Sequence, residues 1–223
     1  MQDPRPQILI ADDHPVFTEG LRLLLEKNYG VIGAVADGRA LVTAAAKLKP
    51  DLIVVDIGMP LLNGLDAAQR VREQLPKVKI VFLTMQDNPN LAAAALELGP
   101  IGFVLKYSAG SELLQAISEV LRGKSYVSPR LRSADWVVMR QRARQFSKKL
   151  TARQRDIVQL CAEGRPVKEI AGQLNLSEKT VEFHKHHIMQ AFNLKSNADL
   201  VLFALKQGLI MLDPAPVYKQ KPS

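Results

Sequence analysis

Continuous apolar runs alternate with helical apolar stripes through the first half of the chain. Gln7-Ile8-Leu9-Ile10-Ala11 and Leu52-Ile53-Val54-Val55 are runs bounded by turn formers. Such runs predict strands buried on both faces, as in parallel sheets covered by helices. Residues 31–36, 79–83 and 102–105 predict three more strands. Between them lie helical segments. Pro15 can occupy a first helical turn, with Val16, Leu21, Leu24 and Leu25 facing inward. An Ala-rich helix over 38–49 is closed by Pro50, and a third helix follows Asn63-Gly64 over 65–75 and stops at Pro76. A fourth spans 90–98, and a fifth runs to Arg122 with Ser111 as its N-cap. A βα unit repeated five times, with right-handed crossovers, predicts a doubly wound α/β fold with helices on both faces of a parallel sheet.

The pattern changes after residue 122. Trp136, Met139, Ala143, Phe146 and Leu150 fall at spacings of three and four, while Arg140, Arg142 and Arg144 lie mostly off that stripe. This linker helix reads either as a dimerising stub or phosphate-contacting helix, or as a helix packed on its neighbouring domain; the short stripe favours the last. Thr151 with Gln154 forms a capping box before a helix that ends near Glu163-Gly164. A second helix spans 167–174, Ser177 caps a third to Phe192, and Ser196 caps a fourth ending at Gly208. Two short helices joined by a tight turn, the second opening with Lys179 and Thr180, predict an all-α helix-turn-helix domain. The expected divisions are 1–122, a basic linker 123–149, a helical domain 150–212 and a disordered tail 213–223 with three prolines.

Charge separates the halves further. Residues 1–122 carry 12 Lys+Arg against 14 Asp+Glu, net −2, and residues 123–223 carry 18 against 8, net +10. Nucleic acid is therefore expected on the second half. The single cysteine, Cys161, excludes an internal disulfide framework and is expected in a core. There is no signal-peptide pattern and no apolar window long enough for a membrane span, so a cytoplasmic protein with no membrane partner is expected.

The strand ends carry the candidate chemistry. Asp12 and Asp13, Asp56, Thr84 and Lys106 stand at the carboxyl ends of four strands, where open α/β sheets place ligands. Three carboxylates within about 4–5 Å repel by roughly 4 kcal/mol per pair at an effective dielectric of about 20, so the site demands a cation. Mg²⁺ suits one or two carboxylates completed by water and phosphate oxygens. Asp56 is the natural nucleophile, forming an aspartyl-phosphate, with Lys106 neutralising equatorial oxygens and Thr84 hydrogen-bonding one. Alone, Asp12 or Asp13 would be a helix cap and Phe103 a core residue.

The acidic pair, Asp56 followed by Met59-Pro60 and Asn63-Gly64, Thr84, and Gly102-Phe103-Val104-Leu105-Lys106 resemble the receiver domain of two-component response regulators over residues 7–122. The resemblance implies a flavodoxin-like strand order 2-1-3-4-5 and a histidine kinase as phosphodonor. It implies that Asp13, Asp56 and the Gly58 backbone carbonyl bind Mg²⁺, with Asp12 helping through water. Phe103 matches the aromatic switch position, which a phosphoryl group would draw inward together with Thr84. Tyr107 stands where receivers often have a cis proline, Gly58 offers no side chain over the site, and Met85 is bulky.

Leu150-Thr151, Ala162-Glu163-Gly164, Lys168-Glu169-Ile170-Ala171 and Leu176-Ser177-Glu178-Lys179-Thr180-Val181, with His184 and Ile188, resemble a LuxR-type DNA-binding domain over 150–211. Together the halves have the arrangement of NarL/FixJ-type response regulators, departing at Ala191-Phe192, where the family often has Lys-Leu. Val181, His184, Ile188 and Phe192 share a face that must bury, leaving Lys179, Glu182, Phe183, His186 and Gln190 nearer double-stranded promoter DNA. Glu182 can accept from a cytosine amino group, Phe183 can touch a thymine methyl, and His186 or Gln190 can donate to purine acceptors. Lys179, Thr180 and Lys185 suit phosphate contacts. His184, His186 and His187 lack the carboxylate or thiolate partners of a zinc site. The fourth helix is apolar almost all round, and its Leu200, Val201 and Phe203 are candidates for a homodimer contact formed on phosphorylation. The expected function is a phosphorylation-controlled transcription regulator, not an enzyme. The alternatives are a receiver used only for dimerisation, and an aspartyl-phosphate enzyme for which no substrate pocket is evident.

Overall fold

A computed structural model describes residues 5–86, 89–131 and 150–211. The first half is a six-stranded parallel sheet in the order β2-β1-β3-β4-β5-β6. Its strands are β1 (Gln7–Ala11), β2 (Gly30–Val35), β3 (Leu52–Asp56), β4 (Lys79–Thr84), β5 (Gly102–Leu105) and β6 (Tyr126–Val127). Its helices are α1 (Pro15–Leu25), α2 (Gly38–Leu48), α3 (Gly64–Gln74), α4 (Pro89–Leu96) and α5 (Ala109–Leu121). The central strand β3 is buried at all five positions, as its unbroken apolar run requires. Alternate residues of each strand feed two cores. Ile53, Val55, Phe82 and Phe103 pack beneath α2, α3 and α4, while Ile10, Val54, Leu83 and Val104 pack beneath α1 and α5.

Four local expectations change. Val16 is 88% exposed, and Phe17 takes its place against the core. At about 100° per residue, Phe17 lies only about 40° from Leu21 around the helix, whereas Val16 lies about 140° away. Ser111 sits inside the first turn of α5 rather than capping it; its hydroxyl bonds the Ser108 carbonyl, and the helix begins directly from a 3₁₀ turn over Lys106–Ser108. The sheet has a sixth strand beyond the order 2-1-3-4-5. Tyr126–Val127 pairs with β5, Ser128 accepts from the Leu105 N–H and bonds Glu112, and Leu131 is buried in the core of this half. The linker as expected from residue 123 therefore begins inside this half. The fourth concerns Leu200 and is described with the site below.

The second half consists of α6 (Ala152–Ala162), α7 (Val167–Leu174), α8 (Glu178–Ala191) and α9 (Asn197–Lys206). The Thr151/Gln154 capping box forms, Ser177 accepts from the Thr180 N–H at 3.1 Å, and Ser196 with Asp199 makes a second box. Asn175, left-handed at φ 52°, ends α7 and turns the chain into α8. Ile157, Leu160, Ile170, Leu174 and Val181 form one core cluster, and Leu150, Val158, Ile188, Leu200 and Ala204 form another. Half-buried Cys161 packs between them, its thiol pushed up by burial, with Lys185 opposing. Of the linker stripe, Leu150 is buried in this domain; Trp136, Met139, Ala143 and Phe146 lie outside the described residues, as do the three linker arginines and the tail. Among the described residues no helix is long and apolar enough to cross a membrane.

Candidate functional site

The parallel register brings the ends of β1, β3, β4 and β5 to one edge, and Asp56, the last residue of β3, sits there only 3% exposed. Gly64 makes this possible: a methyl group there would lie 2.0 Å from the Asp56 carbonyl oxygen, so only glycine lets α3 start directly beneath the carboxylate. The Gly58 N–H donates to Asp56 Oδ1 at 3.1 Å. Lys106 Nζ is 2.7 Å from Asp56 Oδ2 and 2.9 Å from Asp12 Oδ2, the latter an ion pair out of hydrogen-bond alignment. His14 enters the same cluster, which the sequence reading missed. Its Nδ1 lies 2.9 Å from Asp13 Oδ1 and 3.1 Å from Asp12 Oδ1. Its place immediately after the acidic pair, in the turn before α1, was the available signal.

The electrostatics follow from burial and proximity. Burial pushes the Asp56 carboxyl up, and the Lys106 ammonium opposes that rise. Burial alone would lower the Lys106 pKa, but Asp56 and Asp12 outweigh it and hold the ammonium above its ordinary value. Its Nζ also stands 4.9 Å from the centre of the Phe17 ring. Each of Asp12, Asp13, His14 and Asp56 offers a ligand atom within 4.8 Å of the others. Asp12 Oδ2 and Asp13 Oδ1 are buried without a hydrogen bond, and oxygens so placed fit a divalent cation.

Thr84 is fully buried at the end of β4, where its Oγ1 accepts from the Gln86 N–H at 3.1 Å. Phe103 is buried against Phe82, with ring centroids 6.4 Å apart. Tyr107, in place of the proline, is half-exposed beneath the Arg130 guanidinium.

On α8, Val181 and Ile188 are buried, and Lys179, Glu182, Phe183, His186 and Gln190 are all exposed, with Thr180 and Lys185 partly so. Phe183 is 64% exposed, its ring lying against His184 and His187. On α9 the candidate Leu200 is corrected: at 2% exposed it belongs to the domain's own core, because it faces Val158 and Ile188. Phe203 is also mostly engaged at home, 4.6 Å from the Phe192 ring, and Val201 is half-buried. Leu202 is the exposed apolar residue of this helix.

The two halves touch through contacts that the sequence reading did not anticipate, although Met59, Asn63 and Glu163 lie in the motifs quoted above. Arg70 pairs with Asp156 and Arg155 with Asp66, each at 2.6 Å, and Arg39 donates to the Gln173 carbonyl. Gln159 accepts from the Asn63 N–H at 2.9 Å and donates to the Met59 carbonyl, while Glu163 accepts from the Leu61 N–H at 3.1 Å. These contacts use α6 and its C-cap and α7 on one side and α2, α3 and the β3–α3 loop on the other, and leave the outer face of α8 open.

Comparison with known proteins agrees with this division. A family model described as a response regulator receiver domain matches residues 8–118, and one described as bacterial regulatory proteins of the luxR family matches residues 148–204. The oxygen regulatory protein NreC of Staphylococcus carnosus is 35% identical over 92% of this chain and 99% of its own length. The transcriptional regulatory protein MctR of Rhizobium johnstonii is 31% identical over 93% and 96%. Among solved structures, the Salmonella typhimurium response regulator RcsB matches with a TM-score of 0.63 at 27% identity, covering 91% of this chain and 98% of that one. An RcsB–DNA complex matches with a TM-score of 0.54 at 29% identity, covering 89% and 97%. The chain therefore belongs to the two-component response regulators of NarL/FixJ type, in which a receiver domain is joined to a LuxR-type DNA-binding domain.

Proposed function

We propose that Asp56 accepts a phosphoryl group from a histidine kinase, with Mg²⁺ bound, and that this controls dimerisation and promoter binding through α8. The observation that carries the reading is the Asp56 carboxylate at the end of the central strand, 2.7 Å from Lys106 and within 4.8 Å of the acidic pair. Asp12, Asp13, Asp56 and the Gly58 carbonyl would hold the cation, which supplies Lewis-acid neutralisation of phosphoryl oxygens when bound. Asp56 attacks phosphorus as the bond to the donor imidazole nitrogen breaks, and the imidazole leaves with the electron pair and takes up a proton. Lys106, kept cationic by its carboxylate neighbours, neutralises an equatorial oxygen, and the Thr84 hydroxyl donates to another. Phe17 and the buried strand ends restrict water around the ion pair.

The output is double-stranded promoter DNA. Lys179, Thr180 and Lys185 contact phosphates and supply affinity that weakens with salt, and Glu182, Phe183, His186 and Gln190 read base edges. Exposure of that set on one face of a helix whose other face carries Val181 and Ile188 supports the assignment. The dimer contact uses exposed Leu202 with Val201, in place of buried Leu200. The test is labelling with phosphoramidate and Mg²⁺, followed by intact-mass measurement. One hydroxylamine-sensitive phosphoryl group is expected on wild type and none on Asp56→Asn or after chelation. Equal labelling of Asp56→Asn would overturn the site.

A further inference from the structure

The segment after α9 returns to the receiver. A methyl group at Gly208 would overlap the Leu91 side chain of α4, so the chain passes against that helix. Three residues later Met211 reaches the phosphoacceptor edge. Its Cγ and Sδ lie 3.5 Å from where a side chain at Gly58 would begin, and Thr84 Oγ1 faces its Sδ at 3.8 Å. The rest of the side chain packs on the receiver core. Gly58 and Thr84 flank Asp56 in sequence and across the sheet, so Met211 covers the mouth of the pocket. A complementary contact runs the other way. Leu61, at φ 65° in the loop after β3, packs on the core of Ile157, Leu160, Ile170 and Leu174 in the DNA-binding domain. A non-glycine residue held at that φ is strained and needs surrounding contacts to keep it.

These contacts hold the two domains together at the phosphoryl end while the face of α8 stays open. Docking therefore restricts Asp56 more directly than it restricts DNA. We propose that Met211 is the stopper of the phosphoacceptor pocket, so that the docked DNA-binding domain limits the rate at which Asp56 takes up its phosphoryl group. The inference rests on Asp56 being the phosphoacceptor. The bulk of the Met211 side chain stands against the Thr84 hydroxyl and occupies the approach over Gly58, so a side chain of that volume at this position obstructs the pocket.

The test uses the full chain with phosphoramidate and Mg²⁺, since a small donor needs no kinase-docking surface, and reads the rate of phosphoryl uptake. Met211→Ala should raise the rate about fivefold or more, because the fraction of open molecules limits uptake. Met211→Leu, which keeps the volume, should stay near the wild-type rate. Gln159→Ala, which unfastens the interface without touching the pocket, should also speed uptake, and the double variant with Met211→Ala should gain little beyond either single one. A Met211→Ala rate within about twofold of wild type would overturn the stopper, as would fully multiplicative gains in the double variant. Asp56→Asn serves as the separate control: labelling that persists in it contradicts the phosphoacceptor assignment, whatever Met211 does.

Discussion

The two domains present their functional groups in opposite ways. In the receiver, Asp12, Asp56, Thr84 and Lys106 are all buried, brought together by four strands that end at one edge. In the DNA-binding domain, the residues proposed to read bases lie exposed along a single helix, fixed by a cap at Ser177 and a buried face of Val181 and Ile188. Phosphoryl chemistry benefits from a low-dielectric site in which one ammonium and three carboxylates interact strongly. Groove recognition needs side chains that reach outward and a phosphate-facing positive charge. The contrast teaches that one chain keeps its charged cluster buried at a sheet edge and its basic, outward-facing helix open to solvent, with an interface of ion pairs and hydrogen bonds between the two domains.

The largest effect that sharpens this contrast is in the cores. Ile188→Ala should destabilise the DNA-binding domain by about 2–5 kcal/mol, since it removes a fully buried side chain from a cluster separate from the receiver's. Urea unfolding followed by circular dichroism should show that loss, while phosphoryl uptake at Asp56 persists. Loss of uptake would mean the halves fold as one unit. A smaller effect comes from the open face: Lys179→Ala should weaken operator binding roughly evenly across sequences and reduce the salt slope by about one, read by anisotropy titrations at several salt concentrations. A sequence-selective loss would instead make Lys179 a base reader.

The smallest effect is a pH dependence of docking. Glu163, on the interface, is pushed up by burial, opposed by its bonds from Gln159 and Leu61 and by the charges of Arg165 and Arg39. Docked, its carboxyl binds a proton more readily than when free in water. Its contribution to docking is thus fully present below the ordinary glutamate pKa and is lost as pH rises through the raised value. Small-angle scattering across about pH 4 to 7 should show the compact form favoured at the acid end. In Glu163→Gln that dependence should shrink; an unchanged profile would assign it to another group.

The convergence of Asp12, Asp56, Thr84 and Lys106 on one edge was legible in the sequence because strand ends in a parallel sheet converge, so an apolar run followed by such a residue already specifies a location. The caps Thr151, Ser177 and Ser196 were legible because each acts on a backbone N–H three residues away. Contacts between domains were not. Gln159, Glu163 and Met211 lie 96 to 127 residues from their receiver partners, and no local periodicity encodes such pairs. β6 was missed because two residues carry no period, and Leu200 was misassigned because α9 is apolar on most sides, so the sequence does not say which side meets the core.

The central claim is that charge acquired at Asp56 is converted into dimerisation and tighter promoter binding. Sedimentation together with operator titration, with and without beryllofluoride plus Mg²⁺, tests it most directly on wild type and Asp56→Asn. Wild type should dimerise and bind operator more tightly when beryllofluoride is present, and Asp56→Asn should do neither. Equal operator affinity of wild type with and without beryllofluoride, or an equal response from Asp56→Asn, would contradict it.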